Sequence, residues 1–210
     1  METYEVYPCA GLGPFRLGMT EDEVAALQNR LFPGVYPGLY CRTEYLDGRL
    51  AAVSLFADDN RQILYGGLDL TRVHAEELIP RLAQEAAFIC DCVDPELADT
   101  YRFPALGLDL WRERVYHPKL LNNPEFQKLI QALPGNLEYE QDIGWTFHVV
   151  WVRSAASMAE LPLEPGRAPY SGGPYHPTPE PRPVTPERIA AVIKKYGLEP
   201  PVKLGRGEEL

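Results

Sequence analysis

The chain has 210 residues, 45% hydrophobic and 24% charged, which excludes collagen-like, coiled-coil and wholly disordered proteins. Its net charge is −10, and residues 1–100 hold 17 acidic against 7 basic side chains. Phosphate backbones and anionic lipids attract clustered Lys and Arg, so this distribution disfavours binding to nucleic acid or a membrane surface and favours a basic protein partner.

The cysteines and the N-terminal residues bear on where the protein works. No apolar run approaches the ~18 residues that cross a bilayer, and the first residues lack the basic and apolar regions of a signal peptide. We therefore expect a cytoplasmic protein, in which Cys9, Cys41, Cys90 and Cys92 are free thiols. A closed zinc site needs four ligands, and Cys90 and Cys92 have no second pair beside them, so no metal is predicted.

Two glycine patterns that would indicate a nucleotide cofactor are incomplete. Gly11 and Gly13 begin like a dinucleotide-binding loop, but Arg16 occupies the place of the third glycine. The Gly-Lys-Ser/Thr ending of a phosphate-binding P-loop does not occur in the sequence. We therefore expect no cofactor.

Three helices are signalled along the chain before the proline-rich region. Thr20 and Glu23 form a capping box ahead of an apolar stripe. Thr71 is expected to cap the second helix and Pro80 to kink it, while Pro124 suits the first position of the third. The predicted helices cover 20–31, 71–86 and 123–132.

The strands alternate with these helices and indicate an antiparallel sheet. Asp47-Gly48 suits a tight hairpin turn, and the short strand after the hairpin would complete a three-stranded meander. The last strand is almost continuously apolar, so it is expected to lie centrally in the sheet. The fold class predicted is α+β, an antiparallel sheet with about three packed helices. The predicted strands are 3–8, 39–46, 49–56, 62–65, 88–93, 100–103, 107–112, 136–141 and 145–152.

Proline usage sets the domain boundaries. Eight of the 24 residues in 161–184 are proline, which predicts an extended arm. An apolar stripe after Thr185 then predicts a C-terminal helix that docks on its own domain or on another chain. The expected organisation is an α+β domain over 1–155, a proline-rich arm over 156–184, and a helix and tail over 185–210. Gly-Leu-Asp-Leu at 67–70 and 107–110 is weak evidence of an internal duplication.

One group of residues leaves an enzymatic alternative open. Glu138, Glu140 and Asp142 would share one face of a strand, and His148 could act as a base beside them. The sequence has no nucleophile motif of the Gly-x-Ser-x-Gly type, so the interpretation as an enzyme has no further support. A small hydrolase is therefore the alternative to a binding protein.

Two stretches carry a resemblance to known proteins. The segment 13–24, with Leu17-Gly18-Met19-Thr20 ahead of Glu23-Val24, resembles the first-helix entry of small bacterial α+β modules such as outer-membrane assembly lipoproteins and lactamase inhibitors. The segment 101–113, Tyr-Arg-Phe-Pro through Gly-Leu-Asp-Leu-Trp-Arg-Glu, is similar to a group of bacterial immunity-like proteins. The resemblance implies a binding domain without catalytic residues.

The function expected is that of a protein-binding module, an immunity or antagonist protein that neutralises a basic partner such as a nuclease toxin. Tyrosine supplies rigid contact area with a polar tip, and the chain has 12 of them. Several tyrosines of the first hundred residues lie near its excess acidic residues. The partner-binding residues predicted are Tyr36, Tyr40, Glu44, Tyr45, Asp47, Asp58 and Asp59.

Overall fold

Two β-sheets and five helices make up the fold in the computed structural model, which describes residues 1–34, 36–132 and 144–159. The predicted α+β class is confirmed, and antiparallel pairing dominates both sheets. The helices are α1 (Glu21–Leu31), α2 (Ala75–Ala83), α3 (Pro118–Leu121), α4 (Pro124–Ala132) and α5 (Ala155–Ala159). The strands are β1 (Glu2–Tyr7), β2 (Gly11–Leu12), β3 (Phe15–Arg16), β4 (Cys41–Leu46), β5 (Arg49–Phe56), β6 (Arg61–Tyr65), β7 (Leu68–Asp69), β8 (Ile89–Cys90), β9 (Thr100–Phe103), β10 (Leu108–Trp111) and β11 (Val149–Arg153).

The six-stranded sheet is antiparallel throughout, in the order β4-β5-β11-β10-β9-β8. β11 occupies an inner position, as its apolar sequence predicts. It begins at Val149 rather than at residue 145, and residues 144–145 are helical instead. One face of this sheet belongs to the core, where Leu55, Val150 and Leu108 are fully buried. The opposite face carries charged and polar residues, and it positions the site described below.

The five-stranded sheet, in the order β3-β2-β1-β6-β7, corrects the predicted meander. β6 leaves the β4–β5 hairpin and pairs in parallel with β1, so that Tyr4 lies opposite Ile63. The turn before β6 redirects the chain, since the Asp58 carboxylate accepts the Asn60 N–H at 2.9 Å and pairs with Arg61. Pairing with β1 brings Ile63, which is fully buried, into the core.

The first helix, α1, and the β4–β5 hairpin lie where the sequence predicted them, and short-range interactions fix both. The Thr20 side chain accepts from the N–H of Glu23, and Glu23 accepts from the N–H of Thr20, which completes the capping box. In the β4–β5 turn, Asp47 and Gly48 both have positive φ, 50° and 71°. This is the backbone twist that a two-residue hairpin turn requires.

The start of the second helix was predicted wrongly. Thr71 caps no helix, because its hydroxyl and its N–H both donate to Asp69 Oδ1 at 2.9 Å. The Asp69 side chain thus closes a local turn, and α2 begins only after His74. The short helix α3, with the His117 side chain as its cap and Pro118 at its first position, was not predicted.

The two Gly-Leu-Asp-Leu segments occupy different places in the fold. Gly67 precedes β7 at an edge of the five-stranded sheet, whereas Gly107 precedes β10 inside the six-stranded sheet. Gly107 has a φ of 61°, and a Cβ added there would lie 2.4 Å from the Arg153 carbonyl oxygen. That close approach lets the Arg153 N–H donate to the Gly107 carbonyl at 2.7 Å and joins β11 to β10.

Part of the predicted organisation falls outside the described residues. This applies to the strand at 136–141, the proline-rich arm beyond residue 159 and the C-terminal helix.

Candidate functional site: a groove along an open strand edge

A groove of about 540 Å³ follows β4, which is one of the two edge strands of the six-stranded sheet as described. We call it the β4 groove. It receives side chains from α1, from the turn that precedes β4, from β4 itself and from β11. Its lining residues are Gln28, Tyr36, Gly38, Cys41, Arg42, Thr43, Glu44 and Trp151.

Tyr36 stands at the rim of the groove and is 75% exposed. The chain between α1 and β4 makes a short 3₁₀ turn at Pro37–Leu39, in which the Leu39 N–H donates to the Tyr36 carbonyl at 3.1 Å. The Tyr36 ring lies close to Gly38, since a Cβ added there would be 2.5 Å from the ring. One side of the exposed ring therefore lies against the backbone of the turn, and the rest is accessible to a partner.

Main-chain groups of β4 also face the groove. The Phe56 N–H donates to the Tyr40 carbonyl at 2.9 Å, and the pairing continues with Arg42 opposite Ser54. Hydrogen-bonded pairs alternate with non-bonded ones along an antiparallel ladder, so the N–H and C=O of Thr43 point away from β5. Among the described residues, no strand pairs with that side of β4.

A row of side chains crosses the polar face of the sheet beside the groove. Arg42, Ser54, Trp151, Asp109 and Arg102 lie opposite one another on five successive strands. Arg42 is exposed, and within the described part of the chain it forms no ion pair. Trp151 is partly buried, so its ring forms a firm apolar wall in the middle of this face.

A buried ionic network supports that wall. The Asp109 carboxylate accepts from Arg102 Nε and Nη2 at 2.8 and 3.1 Å and from Arg153 Nε at 2.8 Å. Arg153 is only 5% exposed, and its guanidinium lies 4.3 Å from the centre of the Trp151 ring. Arg153 also pairs with Glu44, so the carboxylate of Glu44 is partly neutralised at the edge of the groove.

The thiol of Cys41 is at the inner end of the groove and is not a nucleophile. Burial raises its pKa to about 11, although the Gln28 amide, which donates to its sulfur at 3.7 Å, acts in the opposite direction. A buried thiol with a raised pKa stays protonated and unreactive near neutral pH. The Cys41 thiol therefore lines the groove as a small, uncharged side chain.

The structure does not bring the seven predicted partner-binding residues together, and two of them, Tyr36 and Glu44, line the groove. Tyr40 and Asp58 meet through Arg61, whose guanidinium lies 4.2 Å from the Tyr40 ring and pairs with Asp58. Of the remaining three, Tyr45 packs against the core, Asp47 forms the hairpin turn, and Asp59 is exposed at the other end of β5.

Six of the eight lining residues were not predicted from the sequence, among them Arg42 and Trp151. Their signal was present but incomplete, since alternation along β4 places Arg42 and Glu44 on the same face. The cross-strand register that brings Trp151 beside them joins residues about 100 positions apart, which no local pattern encodes.

His148, the base of the enzymatic alternative, lies just before β11. Its Nδ1 accepts the Glu113 N–H at 3.4 Å, and its Nε2 is buried with no hydrogen-bond partner among the described residues. The pKa of this imidazole is lowered, chiefly by burial. Glu113 acts in the opposite direction, and Arg112 lowers the pKa further. The three carboxylates predicted beside it, Glu138, Glu140 and Asp142, lie outside the described residues.

Metal-ligand clusters and membrane-spanning helices do not occur in the described ranges. No three His, Cys, Asp or Glu side chains there come together as ligands for a metal ion. In the same ranges, no helix is both long and apolar enough to cross a bilayer. All four cysteines are free thiols.

We compared the chain with known proteins at the levels of family, sequence and structure. No family model, no curated protein and no solved structure matches it.

Proposed function

We propose that this chain is a protein-binding module that takes an extended segment of its partner along the open edge of β4. One observation carries the proposal: a 540 Å³ groove lies along a strand whose outward main-chain groups are unpaired within the described residues. Unpaired strand edges are natural templates for an added strand, whose main-chain hydrogen bonds provide affinity.

Side chains around the edge would select the bound segment. Tyr36 offers an exposed aromatic ring at the rim of the groove, and Trp151 offers a second on the polar face of the sheet. Aromatic residues of this kind contribute a large part of the binding energy in protein interfaces. An added strand presents side chains alternately to the two faces, so every second residue would lie on the polar face that carries Arg42, Glu44 and Trp151.

We further propose that the partner is basic and that the chain acts as its antagonist, as an immunity protein does toward a nuclease toxin. The support is the concentration of acidic residues in 1–100 and the net charge of −10. In the groove itself Glu44 is tied to Arg153, and Arg42 is exposed. The overall charge would therefore act at long range on the rate of association, while main-chain and aromatic contacts set the affinity.

The first experiment selects binders from a random library of 12-residue peptides displayed on phage and measures their Kd by isothermal titration calorimetry. Thr43→Pro removes the outward N–H at an edge position that tolerates proline, and Thr43→Ala is the matched control that keeps it. We expect Thr43→Pro to weaken binding about tenfold or more relative to Thr43→Ala, and Tyr36→Ala to do the same relative to the parent.

A second measurement is independent of any substitution. Saturating peptide should slow the hydrogen exchange of the Thr43 amide in the parent chain, because that amide would enter a strand ladder. Equal affinity of the two Thr43 variants, together with unchanged exchange, would refute binding at the β4 edge. If the selected peptides are not enriched in Lys and Arg, and salt does not weaken their binding, the proposal of a basic partner is refuted. The proposal of binding at the β4 edge would be unaffected by that result.

A further inference from the structure

A second cavity, of about 380 Å³, shares no lining residue with the β4 groove. It lies against α2, and we call it the α2 pocket. Most of its wall is apolar, but three polar side chains converge on it. The apolar lining residues are Ala75, Ile79, Pro80, Ala83, Phe88, Pro95 and Tyr101, and the polar ones are Glu76, Glu96 and His117.

The apolar part of the wall is held in place by aromatic packing. The Phe88 and Tyr101 ring centres are 5.6 Å apart, and Tyr101 is 2% exposed. The Tyr101 hydroxyl donates to the Pro95 carbonyl, which ties that turn to the sheet. The cavity therefore has a preformed apolar wall, which is what small-molecule sites generally have.

The polar wall is arranged around His117, which is 7% exposed. Its Nδ1 accepts the Lys119 N–H at 3.2 Å, so in the neutral ring the hydrogen resides on Nε2. That Nε2 lies 3.5 Å from Glu76 Oε1 and 3.6 Å from Glu96 Oε2. A single N–H thus faces two carboxylates and cannot fully satisfy both.

The Glu76 carboxylate faces the His117 ring at 3.5 Å and is attracted at longer range by the buried Arg112. The Lys119 ammonium is shared between Asp94 and Glu96. Arg112 lies fully buried nearby, but its guanidinium donates to main-chain carbonyl oxygens. Within the described residues, Glu76 pairs with neither an ammonium nor a guanidinium group. Glu76 and Glu96 have 37% and 58% of their side chains exposed, so a cation in the pocket could reach both carboxylates from solvent.

We propose that the α2 pocket binds a small organic amine, with its ammonium on Glu76 and Glu96 and its apolar body against Ile79 and Phe88. An ammonium brings three donors, enough to serve both carboxylates while His117 keeps its place. The aromatic wall adds contact with the apolar body and, where the ring faces it, a favourable interaction with the cation. The proposal is independent of the β4 groove, because the two share no residue.

The test uses the full chain labelled with ¹⁵N and titrated with phenethylamine, while 2-phenylethanol serves as the neutral probe of similar shape. We expect saturable shifts of α2 amides with the amine and binding about tenfold weaker for the alcohol. Glu76→Gln should weaken amine binding by a similar factor. Glu77→Gln, the next residue on the exposed side of the helix, is the matched control and should leave binding unchanged.

A variant in the apolar wall tests whether the shape of the pocket, and not only its charge, contributes to amine binding. Ala83→Phe narrows the pocket and leaves every charge in place, so it should also weaken amine binding. Equal binding of amine and alcohol, or an affinity unaffected by Glu76→Gln, would overturn the proposal. Loss of amine binding on Glu77→Gln would also overturn it, since the effect would then be one of net charge rather than of this site.

Discussion

Replacing Asp109 by asparagine is expected to destabilise the fold by about 3–5 kcal/mol, the usual cost of breaking a buried ion pair from one side. Asp109 is 4% exposed and accepts three charged hydrogen bonds, from Nε and Nη2 of Arg102 and from Nε of Arg153. The asparagine side chain would fill the same space, so the change removes charge without creating a cavity. It would also point an NH₂ donor at guanidinium donors.

The assay is urea unfolding followed by tryptophan fluorescence, which reports on this region because Trp151 lies opposite Asp109 in the register. Asp59→Asn is the control at an exposed turn position and should change the free energy of unfolding by no more than about 0.5 kcal/mol. A buried pair is weakly screened, so the loss for Asp109→Asn should persist in ~1 M salt. A loss below about 1 kcal/mol, or one that salt removes, would refute the reasoning.

Two further predictions concern the cap of α1 and the pH dependence of stability. Thr20→Ala removes the acceptor for the Glu23 N–H and should cost about 1 kcal/mol, whereas Thr20→Ser should cost far less; equal urea midpoints for the two variants would contradict this. Burial, helped by the hydrogen bond to Glu2, raises the pKa of Tyr4 to about 12. Its contribution to stability is therefore complete below pH ~10 and is lost as pH rises through the folded-state pKa. Urea unfolding at pH ~8 and ~11.5 should show a smaller decline for Tyr4→Phe than for the parent, and equal declines would contradict the assignment.

The parts of the fold that the sequence predicts well are those fixed by neighbouring residues. The capping box of Thr20 and Glu23 satisfies main-chain groups within one helical turn, and Asp47-Gly48 supplies the twist of the hairpin. Both interactions close over a few residues, so tertiary packing has little opportunity to override them.

The charged residues inside the six-stranded sheet illustrate what the sequence could not predict. Arg102, Asp109 and Arg153 occupy strand positions where charge indicates a solvated face, yet each is at least 94% buried. They tolerate burial because they bond one another across three strands, and that register is set by the whole sheet. The same limit applies to the groove, which Tyr36 and Trp151 line together only after β5 has paired with β11.

The sheet order has a consequence for how the chain folds as it leaves the ribosome. β1 emerges first, but its partner β6 follows about 60 residues later, with Thr3 opposite Gln62. β5 waits longer still, since Val53 pairs with Val152. Such distant pairings give a high contact order, which slows folding because loop closure precedes the stabilising contacts. Until β11 is synthesised, both edges of the β4–β5 hairpin are open to other strands, so nascent chains depend on chaperones or on dilution to avoid pairing with one another.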